Sequence, residues 1–350
     1  MPSETGVGLI GYGLAGRSFH APFIEAVDGL RLRVIATSDP ERGARARTEH
    51  PEAVIVDTVD EVLARSDLEL VVVAAPNRFH APIASRALET GRHVVVDKPM
   101  AMDVPEGEKL IEAAARAGRL LSVYQNRRWD GDFLTIRQLI ADGALGAIDS
   151  LEARFERWSP VGREWRESAV EAGGPLPDLG AHLVDQSLLL FGPVRQVWAQ
   201  SDRRRPGSQV EDSVFVAMDH EGGVRSRLWV SLIAARTGPR LRVRGLSGEY
   251  VKHEMDVQEA QLRAGMLPGA SDFGEEPPER WGVLTLADGS SRPIPTLPGQ
   301  YRRFYQLLRD AIRGEGPPPV DPVDSLQGLR VLEAAQRATM TGTAQVLTER

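Results

Sequence analysis

The chain has 350 residues, of which 42% are hydrophobic and 26% charged, an ordinary globular composition with length for two hydrophobic cores rather than one. Its 42 Lys and Arg against 49 Asp and Glu leave a formal charge of −7, which removes the global basic field that holds nucleic acid nonspecifically. The absence of cysteine excludes disulfides, thiolate metal sites and a cysteine nucleophile, and suits a reducing cytosol.

From Gly6 to about Gln125, short β-branched runs alternate with longer helix-like stretches, the pattern of parallel βαβ units. Strands are predicted at residues 7–10, 32–37, 54–56, 70–74, 93–96 and 120–124. The run Leu70-Val71-Val72-Val73-Ala74 does not alternate polar with apolar, so it is expected to be covered on both faces, as in an α/β Rossmann-type, doubly wound parallel sheet. That makes residues 1–125 one complete domain and leaves 126–350 for a second one. There the spacing predicts a helix over 132–141, an alternating strand over 148–157 and an apolar helix over 179–191. Alternation then dominates at 214–218, 224–232, 241–244 and 282–286, the signature of an α+β domain on a largely antiparallel open sheet. The free face of such a sheet can build a homodimer or homotetramer. Residues 268–278, rich in Gly, Pro and acidic groups, read as a mobile loop, and 324–347 as a closing helix. Residues 1–6 carry no export signal, and no apolar run approaches the roughly 20 residues that span a bilayer, so a cytoplasmic chain without a membrane partner is expected.

Gly11-Tyr12-Gly13-Leu14-Ala15-Gly16 fits G-x-G-x-x-G directly after a strand and at the opening of a helix. The first glycine allows the tight turn, the second lets backbone approach a pyrophosphate, and the third lets helix pack on strand, while the helix N-terminus supplies amides. A glycine-rich turn that binds nothing is the alternative. An NAD-specific site has a carboxylate at the end of the second strand, about 20 residues on. Here Thr37-Ser38 stand there, with Arg42 just beyond, a set that accepts a 2′-phosphate and favours NADP(H), with NAD(H) still open. On the other reading Asp39 takes the acidic role a residue or two late and Arg42 is a solvated helix residue.

The fifth strand ends in Val96-Asp97-Lys98-Pro99, and ligands of open α/β sheets bind outside the carboxyl ends of the strands, which turns Lys98 toward a ligand. Farther on, Asp178 and His182 in Pro177-Asp178-Leu179-Gly180-Ala181-His182 are four residues apart and share a helix face. Asp178 can instead be an N-cap and His182 a satisfied core histidine. A dehydrogenase needs a group that exchanges a hydroxyl proton, which suits histidine, and an ammonium that stabilises a developing alkoxide, which suits Lys98.

These residues resemble the Gfo/Idh/MocA family of oxidoreductases, which includes inositol dehydrogenases, glucose–fructose oxidoreductase and related sugar dehydrogenases. The likeness spans most of the chain, and its markers are Gly11 to Gly16, Ala75-Pro76-Asn77 with His80, Asp97-Lys98-Pro99 in place of the usual Glu-Lys-Pro, and Gly173-Gly174 leading into Asp178 to His182. The resemblance implies that Lys98, Asp178 and His182 form the catalytic trio, and that Ala75 to Asn77, His80, Asp97 and Lys98 line the nicotinamide side. Asn126-Arg127-Arg128-Trp129-Asp130 and Trp165-Arg166-Glu167 are similar to a branch containing NADP-dependent scyllo-inositol dehydrogenases. That implies a sugar or cyclic polyol substrate, with Arg127, Trp165 and Arg166 binding it; Trp165 packing a loop beside an exposed Arg166 is the plain alternative. Two other functions are carried beside the dehydrogenase: a regulator that senses NADP(H) without turnover, and a glycosidase that uses nicotinamide transiently. No HExxH pair is present and Asp178 with His182 supplies too few ligands, so no metal is expected.

Overall fold

The computed structural model describes residues 4–159 and 173–347, so Trp165 and Arg166 lie outside the described residues. The first part of the chain runs β1 (Thr5–Ile10), α1 (Ala21–Glu25), β2 (Leu30–Ala36), α2 (Pro40–Glu49), β3 (Val54–Val56), α3 (Val59–Leu63), β4 (Leu70–Val73), α4 (His80–Glu89), β5 (His93–Asp97), α5 (Val104–Ala117) and β6 (Leu121–Tyr124). It continues through α6 (Gly131–Ala141), β7 (Ile148–Glu156), α7 (Ala181–Phe191), β8 (Val194–Asp202), β9 (Ser213–His220), β10 (Arg225–Ser231), β11 (Leu241–Gly245) and β12 (Gly248–Lys252). The last elements are α8 (Gln258–Arg263), β13 (Gly282–Leu286), β14 (Ser291–Ile294), α9 (Arg302–Ile312), α10 (Pro322–Thr341) and β15 (Gln345–Val346).

The first unit comprises residues 1–126, 259–273 and 300–326. Its six strands lie in the order β3-β2-β1-β4-β5-β6, all parallel, the Rossmann arrangement expected. Every residue of β1 and β4 is buried, which is why Leu70 to Val73 read as an unbroken apolar run. Beyond the boundary expected at 125, two later segments rejoin this unit. Phe273 and Tyr301 both pack on Phe23, at 6.0 and 6.1 Å between ring centroids, and Tyr305 of α9 reaches His20. These aromatic rings are large apolar surfaces that the short helix α1 cannot cover alone.

The second unit comprises residues 127–258, 274–299 and 327–350. Its nine strands lie in the order β14-β13-β12-β11-β7-β10-β9-β8-β15; β7 and β10 pair parallel and the remaining pairs are antiparallel. Along β9 buried and half-buried residues alternate, so Val214, Val216 and Met218 face a core closed by Phe133 and Ile136 of α6, Leu183 and Val184 of α7, and Leu332, Ala335 and Ala338 of α10. On the opposite face Trp198, Phe215 and Trp229 form an aromatic row at 5.9 and 5.0 Å, and the Arg154 guanidinium lies 4.0 Å from the Trp229 centroid. Four strands that the alternation did not announce, β8, β12, β14 and β15, complete the sheet. The closing helix expected to 347 stops at Thr341: Gly342 has φ +69°, and the chain leaves to pair β15 with β8. The stretch 268–278, expected as a mobile loop, is a series of turns anchored by Phe273 and by Glu276, whose Oε1 lies 3.0 Å from the buried Lys252 Nζ.

Candidate functional site

In the first unit, the carboxyl ends of β1, β2, β4 and β5 lead directly into Gly11, Thr37, Ala74 and Lys98, so most of the sequence-picked groups lie along one sheet edge. Gly11 has φ +99°, and a Cβ there would overlap the Ala74 carbonyl, so the first glycine is required by the approach of the loops after β1 and β4. A Cβ on Gly16 would overlap the carbonyl oxygen of Gly11, closing the turn on itself. Gly13 differs: its missing Cβ would meet only the Arg42 guanidinium, at 3.7 Å, which leaves this glycine open on the side a diphosphate approaches. The turn therefore fits a dinucleotide, with Arg42 standing above it. The helix expected after it opens with a π-helical turn, Gly16–His20, that leads into α1. Tyr12, inside the turn, points inward: its hydroxyl donates to Glu49 Oε2 at 2.6 Å and lies 2.8 Å from His50 Nε2.

Asp39 is committed to α2: its carboxylate accepts from the Glu41 and Arg42 amides at 3.0 Å each and pairs with Arg42 Nε at 3.2 Å. Those two amides and the Arg42 and Arg45 charges hold it below the usual carboxylate range, the Arg42 amide most of all. Thr37 is buried at the end of β2 and Ser38 is exposed. Ala75 and Pro76 lead into a short 3₁₀ turn, Asn77–Phe79. His80 is buried, with Nδ1 2.7 Å from the Pro99 carbonyl and Nε2 2.7 Å from the Ala75 carbonyl, so it ties the two loops together from beneath instead of presenting a nitrogen to a ligand. Pro99 follows a cis peptide bond from Lys98.

In the second unit, Asp178 lies in a π-helical turn, Leu176–Gly180, that runs into α7, whereas one helix from Leu179 was expected. The cap position of that turn is Pro175, so Asp178 stands inside the turn and not at its N-cap. Gly174 has φ +113°, and a Cβ on it would sit 2.5 Å from Glu211 Oε1, the oxygen that also accepts from the Leu176 amide at 3.4 Å. Burial pushes the Glu211 carboxyl up. Asp178 opens onto a cavity of about 210 Å³ shared with Arg157, Trp158, Gly174, Arg205 and Leu232. His182, one turn on, is buried, its ring stacked at 6.5 Å on Phe155. Arg127, expected at the substrate, is not on that cavity: it is buried with its guanidinium 4.9 Å from the Phe155 centroid and 3.2 Å from Asp130. The rotation of α7 is set by its polar residues. Arg128 makes a two-pronged pair with Asp185 at 2.8 and 2.7 Å, and Gln186 donates to the Arg127 carbonyl at 2.8 Å while accepting from the buried Arg240 at 3.2 Å.

Comparisons with known proteins agree with this geometry. Residues 5–125 match the oxidoreductase family's NAD-binding Rossmann fold, and residues 137–347 match its C-terminal alpha/beta domain. The chain belongs to the Gfo/Idh/MocA oxidoreductase family. Among its relatives, scyllo-inositol 2-dehydrogenase (NADP(+)) IolW of Bacillus subtilis (strain 168) is 36% identical over 337 residues, covering 95% of this chain and 93% of that one. The 1,5-anhydro-D-fructose reductase of Ensifer adhaerens is 25% identical over 344 residues, covering 96% and 97%. The solved YvaA chain of Bacillus subtilis, named as an oxidoreductase, superposes with a TM-score of 0.95 at 34% identity, covering 99% of both chains.

As a member of this family the protein is an NAD(P)-dependent oxidoreductase. Among the described residues no helix is long and apolar enough to cross a membrane. Sequence reading did not single out Arg157, Trp158 and Arg205, which reach the Asp178 cavity from the end of β7 and from the turn after β8, because no motif marks them and the cavity forms only once these segments pack. It also passed over His20, although Phe19-His20-Ala21-Pro22 follows immediately on the glycine turn.

Proposed function

We propose that this Gfo/Idh/MocA protein interconverts a CH–OH group of a sugar or cyclic polyol with the corresponding carbonyl, preferring NADP(H). The observation that carries the reading is the edge of the six-stranded sheet, where Gly11 to Gly16, Thr37, Ser38, Arg42 and Ala75 to Lys98 follow successive strand ends. Gly11, Gly13 and Gly16 with Leu14 and Ala15 would hold the diphosphate, and Thr37, Ser38 and Arg42 a 2′-phosphate. Asp39 is tied to its helix amides, which supports NADP(H) over NAD(H). Ala75, Pro76, Asn77 and Lys98 would border the nicotinamide. When bound, the nicotinamide accepts or returns the hydrogen of the carbinol carbon with its electron pair. The Lys98 ammonium polarises the reacting oxygen, His182 holds or releases its proton, and Asp178 orients a hydroxyl. The inositol and anhydrofructose relatives support the substrate class. Trp165 and Arg166 stay in the proposal as substrate-binding residues on sequence resemblance alone.

The same reading includes a homo-oligomer built on the free face of the nine-stranded sheet, where the Trp198, Phe215 and Trp229 row is more apolar than a solvent face requires. Fluorescence titration of the cofactor-stripped protein with NADPH and NADH tests the cofactor, and a polyol and aldose panel starting with scyllo-inositol, followed at the nicotinamide absorbance, tests the substrate. NADPH preference with turnover of a cyclic polyol is expected. NADH preference overturns the Thr37-Ser38-Arg42 reading, and binding without turnover across the panel overturns the dehydrogenase.

A further inference from the structure

We propose that the fully buried His20, held by Tyr305, positions Lys98 through the Asp97 carboxylate; the functional half of this inference rests on reading Lys98 as the group that polarises the substrate oxygen. Strand β5 ends at Asp97, and Asp97 Oδ1 accepts the Lys98 amide N–H at 2.9 Å. Its other oxygen, Oδ2, lies 3.8 Å from His20 Nε2. On the far side of the ring, His20 Nδ1 is 2.5 Å from the Tyr305 hydroxyl, contributed by α9 from 285 positions away in sequence. The His20 ring leans on Tyr124 at 4.3 Å, and Tyr124 is itself tied down by donating to the Phe19 carbonyl at 2.7 Å.

The titratable groups facing this carboxylate are His20, His80, Lys98, Tyr124 and Tyr305. Burial, with the neighbouring Tyr124 and Asp97, raises Tyr305 well above an ordinary phenol, so its O–H stays a donor. Burial pushes the Asp97 carboxyl up, but His20, His80 and Lys98 together outweigh it and hold it below its usual value, so it stays a carboxylate. With the Tyr305 hydroxyl donating to Nδ1, the proton of a neutral His20 ring sits on Nε2, the nitrogen that faces Asp97 Oδ2. That nitrogen has no hydrogen-bond partner, which leaves the Asp97 carboxylate as the acceptor it faces. A carboxylate engaged on one side by the next amide and faced on the other by an imidazole cannot rotate freely. It fixes the direction in which the chain, and with it the Lys98 side chain, leaves the strand.

Amide hydrogen exchange of the cofactor-free protein, followed by mass spectrometry on peptides covering residues 94–101, reads this contact directly. Tyr305→Phe and His20→Ala are expected to speed exchange at Lys98 about tenfold, because the Asp97 carboxylate loses the fixed imidazole it faces, while peptides from β1 and β4 keep their rates. His20→Asn, which retains a donor, restores most of the protection. On the panel substrate, Tyr305→Phe lowers kcat about tenfold with KM within about twofold. Unchanged Lys98 exchange in both variants, equal acceleration in β1 and β4, or an unchanged kcat overturns the inference. If His20→Ala does not fold, Tyr305→Phe decides. Since exchange needs neither substrate nor turnover, an active Lys98→Met variant sinks the catalytic reading alone, and unaltered exchange sinks this one alone.

Discussion

At the scale of single residues, the two ends of the proposed chemistry make separable demands. Lys98→Met removes the ammonium but keeps the length of the side chain, and His182→Ala removes the proton acceptor. Each is expected to lower kcat by at least about a hundredfold, with the NADPH dissociation constant within a few-fold of wild type, as read by fluorescence titration and steady-state rates. In the proposed reading Arg42 serves only the adenosine end. Arg42→Ala is expected to weaken NADPH about tenfold, the value of one charge-assisted contact to a phosphate, and to leave NADH unchanged. Equal losses for both nucleotides would show that Arg42 supports the turn around Gly13 rather than a 2′-phosphate.

At the scale of elements, α6 and α7 are held by buried charge as much as by packing. The Arg240 Nε lies 3.3 Å from Asp132 Oδ2, with both side chains almost wholly removed from solvent, and the same guanidinium also donates to the Arg154 carbonyl at 3.0 Å. Arg240→Ala leaves Asp132 buried without its counter-ion and is expected to cost about 3–5 kcal/mol, measured as a shift of the urea midpoint. Asp256 carries the pH dependence of the same region. Its carboxylate accepts from the Gly131 and Gln258 amides at 2.7 and 2.8 Å, yet burial and the Asp132 charge raise it to about 6. An acid raised in the folded state binds its proton more tightly there than in the unfolded chain. Its contribution is present in full below its ordinary value and is lost as pH rises through about 6. The fall in melting temperature between pH 5 and pH 7.5 should therefore be smaller in Asp256→Asn than in wild type, and equal slopes would remove Asp256 from the account.

For the whole molecule, the proposed homo-oligomer rests on the aromatic row on the free face of the nine-stranded sheet. Trp229→Glu and Phe215→Asp place charge in the middle of that row and are expected to shift the protein to monomer in sedimentation or light scattering, with the far-ultraviolet spectrum unchanged. A wild-type chain already monomeric at micromolar concentration would end the oligomer proposal.

The six-stranded sheet was readable in the sequence because strands covered on both faces are apolar without interruption, and because the glycine turn carries its own steric requirement at Gly11 and Gly16. Lys98, Asp178 and His182 stood out because each follows a strand end or opens a helix. Pairing of β15 with β8, the return of residues 259–273 and 300–326 to the first unit, and the inward course of Arg127 left no local signal, since each depends on partners far along the chain. The same holds for His20 and Tyr305. Local sequence specifies period, turn and cap, whereas contacts between residues 285 positions apart exist only once two elements pack.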